Sequence, residues 1–177
     1  YLNGGPGAPS FLYINNRLHD QFVQPLQAWM GHKAPFNFDQ EFVPAEGAGQ
    51  FMTGTPPILS LAALDEALDV FADVDIQQLQ EKHMLLSEYF LGMMEEYPEL
   101  KDLELISPKN VNKRGAQLSF SHPEAYAICR AWAEAGVIAD FRSPNLLRVG
   151  FSPLVLRFKE LEMAVKALVE IMDGELF

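Results

Sequence analysis

Two apolar segments joined by a turn, "GVIADFRSPNLLRVGFS" (136–152), decide the fold predicted for this chain. "GVIADF" and "LLRVGFS" are typical of short strands, and "RSPN" is typical of a turn because proline and asparagine favour turn conformations. An earlier segment, "RGAQLSFSH" (114–122), alternates apolar and polar residues and so predicts a strand with Leu118 and Phe120 on one face. Together these segments predict the strands of one small sheet.

One helix is predicted between these strands in the sequence, and another is predicted after them. Residues 123–135 suit a helix with Pro123 in its first turn and Gly136 as its C-terminal stop. A last amphipathic helix is predicted from about Arg157 to Met172. Strands interleaved with helices indicate an α/β fold in which helices cover a small sheet.

A long helical segment precedes the strands. From Ile58 to about Tyr97, apolar residues recur at spacings of three and four, which predicts one long helix or two in sequence, with a possible break around "DVD" (73–75). Pro98 is expected to end it.

The first part of the chain has little periodic structure. Residues 9–29 predict a strand-like or short helical segment followed by a loop, and residues 30–57 are rich in glycine and proline. Long irregular segments in compact domains are usually functional. The opening "YLNGGPGAP" (1–9) predicts a sharp turn of the kind that lies between two elements. We therefore expect the chain to be the C-terminal portion of something larger.

Composition narrows the function classes. The chain has 177 residues, of which 49% are hydrophobic and 21% charged, as in an ordinary globular protein. Its net charge of -11 argues against a nucleic-acid or anionic-membrane partner, since phosphates attract basic surfaces. Cys129 is the only cysteine, so the chain can form neither an internal disulfide nor a cysteine-based metal cluster, which fits a reducing cytoplasm.

Generic catalytic motifs are absent from the sequence. It contains no phosphate-binding loop of the Walker type, no GxSxG, no HExxH and no dinucleotide fingerprint. Its four histidines are scattered, so we predict no metal site; they are His19, His32, His83 and His122. His83, on the long helical segment, is predicted to be a surface or boundary residue.

Two residues indicate anion binding. Thr55 in "GTPPI" (54–58) precedes a predicted helix, so it is expected either to be a plain N-cap or to offer its hydroxyl, with nearby backbone N–H groups, to a phosphate. Arg148 in "LLRVGF" lies on a strand predicted to be buried, where an arginine needs a carboxylate partner. That partner is either an internal Asp or Glu or the carboxylate of a small substrate.

Several blocks, in order and spacing, resemble the C-terminal part of the kynureninase family over residues 1 to about 170. They are "YLNGGPGAP", "QPLQAWMGHKAPFNFD", "FMTGTPPILSLAALDEALDVF", "RGAQLSFSH" and "GVIADFRSPNLLRVGFSPL". The resemblance implies the C-terminal part of a subunit of fold type I, the aspartate aminotransferase-like fold of pyridoxal-phosphate-dependent enzymes. It also implies hydrolysis of L-kynurenine, or of 3-hydroxykynurenine, to anthranilate or 3-hydroxyanthranilate and L-alanine.

The resemblance also implies roles for individual residues. Trp29 and Thr55 would hold the phosphate of pyridoxal 5'-phosphate, and in family dimers these positions reach the neighbouring subunit's cofactor. Arg148 would bind the α-carboxylate of the substrate. His32 is expected to shape the loop beside Trp29, and Arg142 is expected to be structural.

The catalytic residues implied by the family lie outside the chain. The lysine that carries the cofactor would immediately precede Tyr1, so we predict that these 177 residues alone are inactive. The implied organisation is a remnant of the large cofactor-binding domain with an interface loop (1–57), one or two connecting helices (58–97) and a small α/β domain (98–177).

The sequence leaves the localisation, the pathway and two alternative functions open. The resemblance implies a cytoplasmic homodimer acting in tryptophan degradation or in the synthesis of the cofactor NAD. A sister enzyme of the same fold, such as a cysteine desulfurase or an epimerase, would share much of the pattern. A non-catalytic dimerisation module would also fit the acidic composition and the long loop, but it would give Arg148 no purpose.

Overall fold

Most of the regular structure lies in the second half of the chain. The computed structural model describes residues 4–177 and contains four α-helices and a four-stranded sheet in this range. In chain order these elements are α1 (Ile58–Leu68), α2 (Ile76–Glu95), β1 (Glu104–Leu105), β2 (Gln117–Ser121), α3 (Ala125–Glu134), β3 (Asp140–Arg142), β4 (Leu146–Gly150) and α4 (Phe158–Asp173). The chain separates into two compact units, residues 1–73 and 74–177.

The sheet of the second unit is antiparallel throughout, in the strand order β1-β2-β4-β3. In the central pair, Phe120 lies opposite Leu147 and Ser119 lies opposite Arg148. On the other side of β4, Asp140 of β3 also lies opposite Arg148. Because side chains alternate between the faces of a sheet, Ser119, Arg148 and Asp140 share one face, and Phe120 and Leu147 lie on the other.

The apolar face of the sheet packs against three helices. Leu118 and Phe120, predicted to share a face, are both buried, as is Leu147 of β4. The same buried cluster contains side chains from α2, α3 and α4: Phe90, Ile128, Trp132, Val165 and Leu168. This arrangement confirms the prediction of an α/β fold in which helices cover a small sheet.

Element boundaries differ from the predictions in specific places. α3 begins at Ala125 with Glu124 as its N-cap, so Pro123 precedes the helix and does not belong to its first turn. Gly136 has a φ of 89°, which fits its predicted role as the stop after α3. β3 is confined to Asp140–Arg142, and the residues between Gly136 and Ala139 are not strand.

The predicted break in the long helical segment is confirmed. α1 is followed by a 3-10 turn at Asp69–Phe71, and α2 starts again at Ile76. Asp75, in the "DVD" segment, is the N-cap of α2 and accepts a hydrogen bond of 2.8 Å from the backbone N–H of Gln77. At the other end, α2 stops at Glu95, and Pro98 opens a separate 3-10 turn.

Side chains of α2 fix the chain that follows β4. Lys82 Nζ donates a hydrogen bond of 2.6 Å to the carbonyl of Pro153. The ring nitrogens of His83 lie 3.3 Å from the carbonyl oxygens of Phe151 and Gly115. His83 is half-buried, as expected for a boundary residue, and these contacts anchor the end of β4 to α2.

The first unit is largely irregular, as predicted for residues 30–57. Apart from α1 and an isolated bridge between His32 and Pro44, the regular structure of its described part consists of short 3-10 turns: Asn16–Gln21, Trp29–Gly31, Pro35–Asn37, Gly47–Phe51 and Asp69–Phe71. Among residues 4–19 and 21–73, only Gly31 and Gln50 are buried, and the buried apolar side chains of the described chain all lie between Leu86 and Ile171. The described part of this unit therefore has no apolar core of its own.

Among residues 4–177, every helix is too short or too polar to cross a membrane. The turn predicted for "YLNGGPGAP" falls partly outside the described residues, because Tyr1–Asn3 are not among them. The division of the chain at residues 57 and 97 stays a prediction.

Candidate functional site

Arg148 lies in the middle of β4, on the polar face of the sheet. Its neighbours along the strand, Leu147 and Val149, point to the apolar face, because side chains alternate in a strand. The side chain of Arg148 keeps 25% of its surface exposed. Arg148 is therefore not in the apolar core, although the strand that carries it is central in the sheet.

An internal carboxylate partners Arg148. Asp140 Oδ2 accepts a hydrogen bond of 3.0 Å from Arg148 Nε and a second hydrogen bond from Arg148 Nη2. The same oxygen accepts a hydrogen bond of 3.1 Å from Nε of Arg142. Of the two partners considered for Arg148, the internal carboxylate is therefore present.

The charge of this cluster is not balanced. The hydrogen bond from Arg148 and the positive charges of Arg142 and Arg148 lower the pKa of Asp140 below its ordinary value, against an opposing contribution from burial. Asp140 is therefore ionised at neutral pH. Two guanidinium groups share this one carboxylate, so one positive charge remains in an otherwise acidic chain.

Thr55 is not the N-cap of α1. That position belongs to Pro57, which provides no capping side chain, and the helix starts one residue later at Ile58. The reason is that Pro56 and Pro57 have no backbone N–H, and the pair places Thr55 ahead of the first turn. The expectation that Thr55 is a plain N-cap is wrong.

The surroundings of Thr55 suit an anion. Thr55 is exposed and lines an open cavity of about 590 Å³ with Met52 and Leu61, among others. In the described part of the chain, no side chain caps the first N–H groups of α1, and the Thr55 hydroxyl makes no hydrogen bond. A free hydroxyl beside an uncapped helix N-terminus is a donor set that fits a phosphate.

Trp29 begins a 3-10 turn that packs closely against the segment leading to Thr55. Trp29 is 47% exposed, and its indole meets the ring of Phe36 edge-on at a centroid distance of 5.7 Å. A Cβ added at Gly31, in the same turn, would lie 2.6 Å from the carbonyl oxygen of Gln50 and 2.9 Å from that of Met52. Only glycine allows this approach, which brings the backbone of the "WMGH" block against Gln50 and Met52, just ahead of the "GTPPI" block.

His32 closes the loop beside Trp29. Its Nδ1 accepts a hydrogen bond of 2.9 Å from the backbone N–H of Ala34, so Nε2 carries the proton and donates to the carbonyl of Glu41 at 3.3 Å. The backbone pairs across the same loop, with a bridge between His32 and Pro44. Both ring nitrogens are thus used by the loop, in agreement with the expectation that His32 shapes it.

The predicted site residues fall in two groups. Trp29 and Thr55 belong to the first unit, where Gly31 brings the turn of Trp29 close to Met52, but Trp29 does not line the cavity at Thr55. Arg148 belongs to the second unit, with Asp140 and Arg142. Among the described residues, no cluster of three or more His, Cys, Asp or Glu side chains could hold a metal.

Asp140 is the member of the site that sequence reasoning missed. A signal was available in "ADFRSPNLLR", because a turn at Ser143–Asn145 pairs Asp140 with Arg148 across the two strands. Opposite charges at paired positions on one face stabilise neighbouring strands.

Curated proteins are similar to nearly the whole chain. Kynureninase from Deinococcus radiodurans is 44% identical over 173 residues, which cover 98% of this chain and 42% of the relative. Kynureninase from Burkholderia mallei is 41% identical over 175 residues, covering 99% of this chain and 42% of the relative. The chain thus spans less than half the length of these curated relatives.

Solved structures with low sequence identity share the fold. A cysteine desulfurase from Thermococcus onnurineus NA1 is similar with a TM-score of 0.70 at 16% identity, over 92% of this chain and 42% of that one. A variant of the cystine C–S lyase C-DES, with glycine covalently linked to its pyridoxal-phosphate cofactor, is similar with a TM-score of 0.68 at 15% identity, over 91% of this chain and 40% of that one. These similarities show that the chain has fold type I, the aspartate aminotransferase-like fold predicted from the sequence.

A match to a protein-family model identifies the family of the chain. The model described as Kynureninase C-terminal domain matches residues 79–168, which run from α2 into α4 and include the whole sheet. The match covers half of the chain and contains Asp140, Arg142 and Arg148. The chain belongs to the kynureninase C-terminal domain family.

Proposed function

We propose that the protein containing this chain is a hydrolase that cleaves L-kynurenine, or 3-hydroxykynurenine, to L-alanine and anthranilate or 3-hydroxyanthranilate. The observation that carries the proposal is the 41–44% identity to kynureninases over nearly the whole chain. The likeness to cysteine desulfurase and C–S lyase does not compete with it, because that likeness, at 15–16% identity, extends only to the fold.

The proposed cofactor is pyridoxal 5'-phosphate. When bound, it would supply the electron sink that stabilises negative charge at the α-carbon of an amino acid. The proposal is supported by the cofactor in the C-DES structure and by the donor set at Thr55.

The described residues would hold the phosphate of this cofactor by neutral donors. Thr55 would donate its hydroxyl, and the uncapped N–H groups of α1 would favour the phosphate through the partial positive charge of a helix N-terminus. Trp29 would donate its indole N–H, since this group has no hydrogen-bond partner within residues 4–177. Each of these groups would bind or orient the phosphate, and none of them is proposed to transfer a proton.

Arg148 would bind the substrate α-carboxylate. A guanidinium group forms two parallel N–H···O bonds with a carboxylate, and the unbalanced positive charge of the Asp140 cluster favours an anion there. This binding would fix the orientation of the amino acid, and its loss would mainly raise KM.

We also propose a cytoplasmic homodimer in which residues of the first unit serve the neighbouring subunit's site. Support comes from the apolar surface of the described part of this unit, which exposes large side chains such as Phe11, Tyr13 and Phe38 without an apolar core beneath them. Exposed apolar surface of this kind marks a contact with another part of the protein or another subunit. The proposed cytoplasmic location is supported by the single cysteine of the chain. A proposed role in tryptophan degradation is supported by the similarity to proteins named kynureninase.

The test uses the full-length protein that contains this chain, assayed with L-kynurenine, 3-hydroxykynurenine and L-cysteine. We expect formation of L-alanine and the aryl acid from at least one kynurenine and no sulfide release from cysteine. Arg148→Gln is expected to raise KM by more than tenfold, whereas the exposed Arg157→Gln should leave it unchanged. Sulfide release without kynurenine hydrolysis would instead assign a cysteine desulfurase.

A second measurement tests the cofactor separately from activity. Borohydride reduction of the full-length protein, followed by peptide mass mapping, is expected to find a pyridoxyl-lysine immediately before Tyr1. An unmodified residue at that position would refute the proposed cofactor attachment.

A further inference from the structure

Asp140 contacts only one side of the Arg148 guanidinium. The two residues lie directly opposite each other in the pairing of β3 with β4. Asp140 Oδ2 accepts from Nε at 3.0 Å and also from Nη2, which are the two donors along one edge of the planar group. This contact defines the orientation of the guanidinium plane.

The other end of the guanidinium is left for a ligand. Nη1 of Arg148 has no hydrogen-bond partner among residues 4–177, and Nη2 keeps a second N–H that Asp140 does not use. These donors form the end of the group, where a carboxylate can accept two parallel bonds. The edge held by Asp140 and the free end thus serve different partners.

Arg142 distinguishes Asp140 from a simple counter-ion. Its Nε donates to the same Oδ2 at 3.1 Å, and its side chain is 61% exposed, compared with 25% for Arg148. Asp140 is therefore shared between two cations, and its charge neutralises at most one of them. Arg148 keeps an attraction for an anion while its side chain is held in place.

We propose that Asp140 is a positioning residue that fixes Arg148 with its free end directed to the α-carboxylate of the amino-acid substrate. The inference deepens the proposed function and rests on it. Asp140 does not touch the substrate; it acts through Arg148.

Two physical effects of removing Asp140 have opposite signs. A freed Arg148 must lose side-chain rotational freedom each time it binds a carboxylate, which weakens binding. A counter-ion, by contrast, competes with the substrate, so its removal would strengthen binding. The direction of the change in KM therefore separates a positioning residue from a residue that only neutralises charge.

The experiment uses the full-length holoenzyme and its hydrolysis of L-kynurenine. Asp140→Asn keeps the shape of the side chain but weakens its hold on the guanidinium, and we expect KM to rise about three- to tenfold with kcat changed less than twofold. Asp140→Ala should raise KM at least as much. Glu160→Gln is the matched control, because it removes the carboxylate partner of the exposed Arg157 elsewhere in the same unit, and it should leave both constants unchanged.

A double-mutant cycle tests whether Asp140 acts through Arg148. In the Arg148→Gln background, adding Asp140→Asn is expected to change KM less than twofold, because no guanidinium remains to be positioned. An equal effect in both backgrounds would indicate a general structural role and would overturn the inference. Competitive inhibition adds a readout specific for the carboxylate: the inhibition constant of L-alanine should rise in Asp140→Asn, and that of L-alaninamide should not.

The failure of the inference can be told apart from the failure of the proposed function. An active wild-type enzyme in which Asp140→Asn leaves KM unchanged or lowers it overturns the positioning role alone. A wild-type holoenzyme that hydrolyses neither kynurenine refutes the proposed function and, with it, the inference. Asn differs little from Asp in size, so the test does not depend on whether the Ala variant folds.

Discussion

The indole Nε1–H of Trp132 donates a hydrogen bond of 3.0 Å to the backbone carbonyl of Ala164 and so joins α3 to α4 within the core. Trp132 is 1% exposed and belongs to the cluster that packs on the apolar face of the sheet. A buried tryptophan usually satisfies its N–H in this way, because an unpaired buried donor is costly. The two helices therefore depend on one side chain for both apolar contact and a polar bond.

Trp132→Phe is expected to destabilise the second unit by about 1–3 kcal/mol, because it removes this hydrogen bond and leaves a small cavity. Hydrogen exchange of the β2 and β4 amides in the full-length protein would measure the loss, since these strands open only with the unit. Trp29→Phe is the control. Because Trp29 is half-exposed and lies in the first unit, this substitution should leave the exchange rates of the β2 and β4 amides unchanged. Equal effects of the two substitutions would contradict this account.

Gly31→Ala should disrupt the first unit around Trp29. An added Cβ would meet the carbonyl oxygens of Gln50 and Met52, which are backbone atoms and cannot move aside as the end of a flexible side chain does. We expect at least a fivefold loss of affinity for pyridoxal phosphate in the full-length protein, measured by equilibrium dialysis. Gly54→Ala is the control, because a Cβ there meets nothing within 4 Å, and it should bind the cofactor normally.

Much of the second unit could be predicted because the hydrophobic patterns of its strands and helices are local in sequence and repeat along the chain. The alternation around Leu118 and Phe120 predicts both the strand and its buried face, and the helical period of the last segment predicts α4. β1 was missed because two residues are too few to show alternation. Its place at the edge of the sheet depends on pairing with β2, which is not a local property.

The candidate site was predicted less completely because it depends on contacts between distant residues. Arg148 could be selected from its sequence context, but its partner Asp140 is defined by strand pairing. A plain cap is one of the two roles that the sequence predicts for Thr55, because a hydroxyl residue precedes a helix, but the proline pair moves the helix start beyond its reach. A residue type indicates what chemistry is available, whereas the register decides which groups meet.

Cys129 is expected to react slowly with alkylating reagents. Burial raises the pKa of its thiol, and the negative charge of Asp140 raises it further. At pH 7 the thiol is therefore protonated and partly shielded, and we expect alkylation by iodoacetamide at least tenfold slower than for a free cysteine. Peptide-resolved mass spectrometry on the native full-length protein would measure the rate, and the same peptide in urea would serve as the reference. A native rate equal to that in urea would contradict the burial of this side chain.

The contribution of Asp140 to stability should depend on pH in one direction. Its folded-state pKa is lowered, first by the hydrogen bond from Arg148, so near its ordinary pKa of 3.8 the unfolded chain binds more protons than the folded chain. The stabilisation is therefore fully present above that pKa and is lost as the pH falls through the folded value. The guanidinium groups of Arg142 and Arg148 face Asp140, and the thiol of Cys129, whose pKa is raised, stays neutral over this range.

Comparison of Asp140→Asn with the wild type would reveal this dependence. Asparagine does not titrate, so the difference in melting temperature between the two proteins should be largest near pH 7 and should shrink as the pH falls below about 4. The same substitution in the Arg148→Gln background provides the control: without its main partner the pKa of Asp140 returns toward its ordinary value, and the pH-dependent difference should become smaller. A difference that grows on acidification would mean that Asp140 is destabilised when charged, contrary to its contacts with two arginines.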